Sequence, residues 1–199
     1  VPKPVRKRLS PDERREQLLK IAIDLFAEQG IGEAKHADIA KRAGTSTATT
    51  FVYFPTREAL LADVGEEICR FFLSLFDGIE PVKGQAPDIL RLLAARTKVA
   101  MDTHPNYMRA WLGWSTRFDP VTRAQYSKFQ GKFLSRLSEI LWATEDNSSH
   151  DNRDDARILL SACQAFALMK FDGEPKEKIE RFIEHTIDVL AVYWQNRKA

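Results

Sequence analysis

The first sixty residues are cut into short helical lengths by their chain breakers, and this punctuation constrains the fold more than any other feature. Ser10-Pro11-Asp12-Glu13 places a capping Ser, a Pro in the first turn and a Glu three residues after the Ser, the reciprocal arrangement that opens a helix. Leu18, Ile21, Ala22, Leu25 and Phe26 then recur at helical spacing and form one apolar face, until Gly30 and Gly32 end it. A second length, from about His36 to Ala43, stops at Gly44; a third, from about Thr47 to Phe54, stops before Pro55. Two short helices joined by a tight Gly-containing turn, with a longer helix before them, is the helix-turn-helix layout.

The rest of the chain is also helical in pattern, with no convincing alternation of the strand type. Thr56 is placed to cap a long fourth helix whose Leu60, Leu61, Val64, Ile68, Phe72, Leu75 and Phe76 share one side. Further helices are expected at about 87–104, 105–116, 120–143, 153–171 and 175–195. The polar stretch from Glu145 to Asp155 reads as a surface loop. No apolar run approaches the roughly 18 residues a membrane span needs. The basic start lacks the apolar segment of a secretory signal. Cys69 and Cys163 lie far apart inside apolar helical patterns, which predicts buried reduced thiols in a cytoplasmic protein and no disulfide or metal role.

Charge is unevenly spread. Residues 1–60 carry 11 Lys and Arg against 8 Asp and Glu, while the remainder is nearly balanced, and Lys3, Arg6, Lys7 and Arg8 form a basic arm without an acid. Such an arm is either a phosphate-binding end or a solvated tail. On a helical wheel the third helix groups Thr47, Thr50, Phe51 and Phe54 on one arc, with the two aromatics expected to anchor in the core. The other arc, Ala48, Thr49, Val52 and Tyr53, then faces outward and is uncharged. In a major groove Thr49 can meet a base edge or phosphate, Val52 and Ala48 can pack on thymine methyls, and Tyr53 can reach a phosphate. The alternative is an apolar patch that packs on another domain.

Ile39-Ala40-Lys41-Arg42-Ala43-Gly44, followed by Phe51-Val52-Tyr53-Phe54-Pro55-Thr56-Arg57-Glu58-Ala59-Leu60-Leu61, resembles the TetR family pattern I-A-x-x-A-G-V-S and then Y-x-Y-F-x-x-K-E-x-L. Arg6-Lys7-Arg8-Leu9-Ser10-Pro11, His36-Ala37-Asp38-Ile39-Ala40, Ala48-Thr49, and Trp111 with Trp114-Ser115 are similar to a narrower group, the LuxR/HapR/SmcR-type quorum-sensing master regulators of vibrios. The resemblance implies an all-α, TetR-like fold. Residues 1–56 would be a DNA-binding helix-turn-helix domain with its basic arm, and residues 57–199 a helical ligand-binding and dimerisation domain. It places Arg6 and Arg8 in a minor groove, in keeping with a basic arm beside a narrow, negative groove. Thr49 and Tyr53 match groove-facing and phosphate-contacting positions, and Arg57 stands where the family often has a Lys near the DNA backbone. Together with Thr47, Ala48 and Val52 these are the candidate DNA-binding residues. Val52 departs from the vibrio group, which carries Asn there, and Thr45 and Thr50 replace apolar residues.

The last helix carries Ile179, Phe182, Ile183, Ile187 and Leu190 on one stripe, and its predecessor carries Phe166. The resemblance implies that these stripes pair with a second subunit as a four-helix bundle; the alternative is that they close the monomer's own core. A two-fold dimer presents two recognition helices to a pseudo-palindrome about one helical turn apart. Phe72, Phe76, Trp111, Trp114 and Phe129, with Gln130 as a polar contact, are the candidate lining of a pocket for a small apolar or amphipathic ligand, or else plain core. Enzyme patterns are missing: Gly30-Ile31-Gly32 lacks a third glycine and a preceding strand, Gly113-Trp114-Ser115-Thr116-Arg117 fails G-x-S-x-G, and the four histidines have no metal spacing. The expectation is therefore a DNA-binding regulator without cofactor or metal. Its rivals are a ligand-controlled local repressor, a broad quorum-sensing-type regulator and a helical adaptor that binds no DNA.

Overall fold

The structure, a computed structural model, describes residues 9–31, 33–144 and 153–196. Among these it is all helix: α1 (Pro11–Gln29), α2 (His36–Ala43), α3 (Thr47–Tyr53), α4 (Arg57–Ser74), α5 (Ala86–Thr103), α6 (Pro105–Ser115), α7 (Pro120–Thr144), α8 (Arg153–Phe171) and α9 (Lys176–Asn196). Every helix expected from the sequence is present, with ends within about one residue of their expected positions. Arg6 and Arg8, and most of the expected polar loop, lie outside the described residues.

The helix ends form where the local chemistry puts them. Ser10 Oγ accepts the Glu13 N–H at 3.2 Å while Glu13 accepts the Ser10 N–H at 2.7 Å, so the capping pair closes in both directions. That backbone hydrogen bond holds the Glu13 carboxyl below the usual carboxylate range. Asp38 accepts the Lys35 N–H at the start of α2. Gly44 ends α2 in the left-handed region at φ 63°, from which its own N–H reaches Lys41 O and the Thr45 N–H reaches Ala40 O. A side chain at that φ would be strained, which is why a glycine makes this turn. Ser46 and Thr56 cap α3 and α4 through their hydroxyls.

Helix α1 lies against α2, against α4 and along α6, so the N-terminal helices are packed onto the body. Asn106 on α6 donates to Asp24 on α1 at 2.8 Å, and Arg15 pairs with Asp63 on α4 at 2.6 Å. Beside that joint Tyr107 on α6 donates to Glu67 on α4; burial first, then the Glu67 charge, push its phenol up to about 12, so it stays a neutral donor. In the body α4 packs on α7 and α6, α7 on α8, and α9 on both α8 and α5. Gly65 lets α4 meet Trp114 closely: a Cβ there would stand 2.8 Å from the indole ring. Trp194 near the end of α9 donates to the buried Asp155 carboxylate at the start of α8, at 2.9 Å. Cys69 is buried, Cys163 is partly buried, and both are free thiols.

The stripe expected to form a subunit interface turns inward instead. Phe166, Ile179, Ile183, Ile187 and Leu190 are buried within the protomer, Phe182 is half-buried, and all belong to or pack on the core. Period 3.6 identifies an apolar face, but it does not say whether α5 and α7 or a second chain will cover it. The apolar residues left exposed on these helices are Ile158 and Leu168 on α8, and Val189, Val192 and Tyr193 on α9.

One residue in the N-terminal core is mismatched to its site. Thr50 is fully buried and its hydroxyl has no hydrogen-bond partner among the described residues. Leaving a buried hydroxyl unsatisfied costs about 1–3 kcal/mol. Thr50→Val keeps the branched shape and should raise unfolding stability by about 1 kcal/mol in a denaturant titration. A clear loss of stability would show that the hydroxyl has a partner the structure does not contain.

Candidate nucleic-acid interface and apolar cavity

Helix α3 is seven residues long, and its position depends on anchors at both ends. At its C-terminal end Phe54 is fully buried, and its carbonyl accepts a 2.8 Å hydrogen bond from His36 Nε2. The carbonyl can only accept, so this imidazole nitrogen carries the proton. Phe51, expected to anchor in the core with Phe54, does not: it is 46% exposed and stacks on His36 at 4.2 Å, with the rings only 9° from parallel. The wheel placed it on the inner arc, yet at the arc's edge α2 offers it the outer face of the buried His36 imidazole, which covers one side of the ring and leaves the other open. Thr47, also drawn on that arc, is exposed, and only Thr50 and Phe54 are buried.

The outward face is as expected from the sequence. Val52 is 77% exposed, Ala48 is exposed, and Thr49 and Tyr53 are intermediate. The Thr49 hydroxyl is 2.8 Å from Ser46 Oγ, which also accepts the Thr49 N–H at 3.0 Å. Ser46 therefore sets how Thr49 presents itself, a role the sequence reading missed. The signal was available, since a Ser directly before a helix after Gly44-Thr45 is a capping pattern.

Charged groups around α3 are largely committed to structure. Arg42 makes a bidentate pair with Glu28 at 2.7 and 2.8 Å. This pair holds the Glu28 carboxyl below its usual range and raises Arg42 further. Arg57 donates to the carbonyls of Ile31 and Ala34 at 2.9 and 3.0 Å, tying the start of α4 to the chain between α1 and α2. The structure thus gives this arginine a clamping task beside any contact with a DNA backbone.

The body holds an apolar cavity of about 80 Å³, displaced from the expected pocket. Of the expected lining only Phe76 borders it. Phe72, Trp111, Trp114 and Phe129 are buried against one another, with Phe72 and Trp111 ring centroids 4.6 Å apart and Trp114 and Phe129 5.8 Å apart. Gln130 on α7 is partly exposed and is not part of the cavity wall. These rings fill the space between α4, α6 and α7, and the void lies next to them, walled by aliphatic and phenylalanine side chains of α5, α7, α8 and α9. Ile183 and Ile187, expected between subunits, are part of that wall. Its hydroxyls serve their own helices: Thr97 donates to Leu93 O at 2.8 Å and Thr186 to Phe182 O at 2.9 Å. Burial pushes the Cys163 thiol, also on the wall, up to about 12, so it remains protonated and unreactive.

Residues 18–64, from mid-α1 into α4, match the model for bacterial regulatory proteins of the TetR family. The HTH-type transcriptional regulator LuxR of Vibrio harveyi is 30% identical over 198 residues, covering 94% of each chain. Among solved structures, a TetR-like transcriptional regulator from Rhodococcus sp. RHA1 superposes with a TM-score of 0.67 at 18% identity, over 90% of this chain and 96% of that one. The regulator FadR of Bacillus subtilis, in complex with stearoyl-CoA, gives 0.69 at 17% identity, over 88% and 96%. These two likenesses concern the fold, whereas the identity to LuxR runs through head and body alike. With α3 capped, anchored and presenting an uncharged outer face, and with the family match lying on that unit, the chain belongs to the TetR family of DNA-binding transcriptional regulators.

Proposed function

We propose that this regulator binds a pseudo-palindromic operator as a homodimer, with residues 1–56 as the DNA-binding part and residues 57–199 as the dimerisation and ligand-binding part. α3 lies in the major groove, where Thr47, Ala48, Thr49, Val52 and Tyr53 face the DNA, while Arg6 and Arg8 of the arm enter the adjacent minor groove and Arg57 stands near the DNA backbone. The observation that supports this most is Val52. An apolar side chain 77% exposed on a short, rigidly held helix is costly facing water and well suited to a groove. An adaptor without DNA binding would have no use for the basic arm.

The likeness to LuxR over nearly the whole chain supports a broad regulator of the quorum-sensing type, acting at many promoters in the cytoplasm. The apolar cavity supports a second reading, a local repressor released by a small apolar or amphipathic ligand. At about 80 Å³ the cavity is smaller than the roughly 300 Å³ of a drug-sized pocket. Such a ligand would have to spread α5, α8 and α9, and a body so altered would space its two recognition helices wrongly for the operator. Genome-wide footprinting separates these readings: many bound promoters support the broad regulator, one site beside its own gene supports the local repressor, and no bound site defeats both.

The arm contributes charge rather than fold. Changing Arg6 and Arg8 together to Ala should weaken operator binding and reduce the slope of log affinity against log salt by about two phosphate-equivalents per subunit. The thermal midpoint should not move. Unchanged affinity at physiological salt removes the arm from the interface.

The dimer face follows from what α8 and α9 leave uncovered. Ile158 and Leu168 flank the smaller Ser161 and Ala165 along α8, and α9, which packs on α8, leaves Val189 and Val192 exposed. Val189→Asp places an unpaired charge in this contact, at a cost of several kcal/mol if the contact is dry. Sedimentation should then show a monomer that keeps its helical circular dichroism, because Val189 is exposed in the protomer. Ile187→Asp, by contrast, should unfold the protomer itself. A Val189→Asp chain that still sediments as a dimer, or a wild-type monomer at micromolar concentration, defeats this arrangement.

A further inference from the structure

The reading helix contains none of the side chains that normally discriminate bases by paired hydrogen bonds. From Thr45 to Phe54 there is no Arg, Lys, Asn, Gln, Asp, Glu or His. Guanine and adenine are usually read by bidentate contacts from Arg, Lys, Asn or Gln, and cytosine by Asp or Glu. Of the hydroxyls that remain, Thr50 is inside the core and Thr49 is bonded to Ser46. Those of Thr47 and Tyr53 stay open, but a single hydroxyl donates or accepts and does not by itself distinguish one base from another. What α3 offers a groove for discrimination is carbon: the Val52 isopropyl group in its last turn, the Ala48 methyl one turn before it, and the open side of the Phe51 ring whose other face lies on His36.

Apolar atoms in the major groove have one specific counterpart, the C5-methyl group of a pyrimidine. In ordinary DNA that group marks thymine. The methyl of 5-methylcytosine sits at the same ring position and is chemically equivalent for an apolar contact. We propose that α3 reads its operator chiefly through pyrimidine C5-methyl groups, with Val52 as the specificity-determining contact and Ala48 and Phe51 flanking it. This rests on the placement of α3 in the major groove argued above. It also carries a consequence for regulation, because a half-site with cytosine at the Val52 position becomes sensitive to cytosine methylation.

The test uses the full chain and an operator selected from a random duplex pool. Thymines are replaced one at a time by deoxyuridine, which keeps every hydrogen-bonding edge and removes only the methyl. One position per half-site should lose about fourfold in affinity, and both together about fifteenfold, the worth of one buried carbon per half-site. Cytosine placed there should weaken binding, and 5-methylcytosine should recover most of the loss. Val52→Ala, an exposed change that leaves the fold intact, should largely erase the uracil penalty, whereas Val52→Asn should move the selected base toward adenine. If every uracil duplex binds like its thymine parent while a scrambled duplex does not bind, methyl readout is wrong although DNA binding stands. A uracil penalty that persists undiminished in Val52→Ala removes the assignment to Val52. If the pool yields no enriched sequence, the DNA-binding reading fails and the methyl reading with it.

Discussion

Where α3 gives way to α4, Pro55 stops the helix and the chain turns sharply between two helices that must keep a fixed relation. Carbonyls freed at this corner and in the preceding loop are taken up by side chains: Phe54 O by His36, and Ile31 O and Ala34 O by Arg57. Phe54 is meanwhile locked in the core. Three segments, the start of α2, the end of α3 and the start of α4, are thereby joined at one place. In a helix of only two turns a small rotation redistributes every side chain between core and surface, so this corner decides which residues face outward. The exposure of Val52 and the burial of Thr50 both depend on it.

The body is connected to that corner by two routes. Helix α4 runs from the Arg57 clamp toward the cavity, which Leu75 and Phe76 border just beyond its last turn. Helix α1 lies along α6, joined through Asn106 and Asp24, with the Tyr107–Glu67 contact linking α6 to α4 beside it. The cavity shares its wall with the inner faces of α8 and α9, while the outer faces of the same helices hold the apolar residues assigned to the dimer contact. A ligand that parted these helices would act on the proposed subunit interface and on the seat of α4 at once. This is the physical basis of the proposed population shift between operator-binding and non-binding forms.

The sequence alone determined the helices and their ends, because those are set within a few residues: Ser10 with Glu13, Gly44, Ser46 and Pro55 act on neighbouring backbone groups and need no tertiary partner. The outward position of Val52 was legible from the helical period of α3, although the corner holds it there, and so was the family, whose motif is contiguous. Partnership between distant faces was not legible. A stripe such as Ile179, Ile183, Ile187 and Leu190 looks the same whether α5 and α8 cover it or a second subunit does, since burial is non-directional and leaves no mark on the pattern. The aromatics Phe72, Trp111 and Phe129 likewise read as pocket or as core until their mutual packing was known. The wheel put Phe51 on the inner arc, and only its stacking on the His36 ring across the turn left it half outside. Local hydrogen-bond chemistry wrote the elements into the sequence, while close packing, which depends on shape at every contact, decided what each apolar face meets and where space was left over.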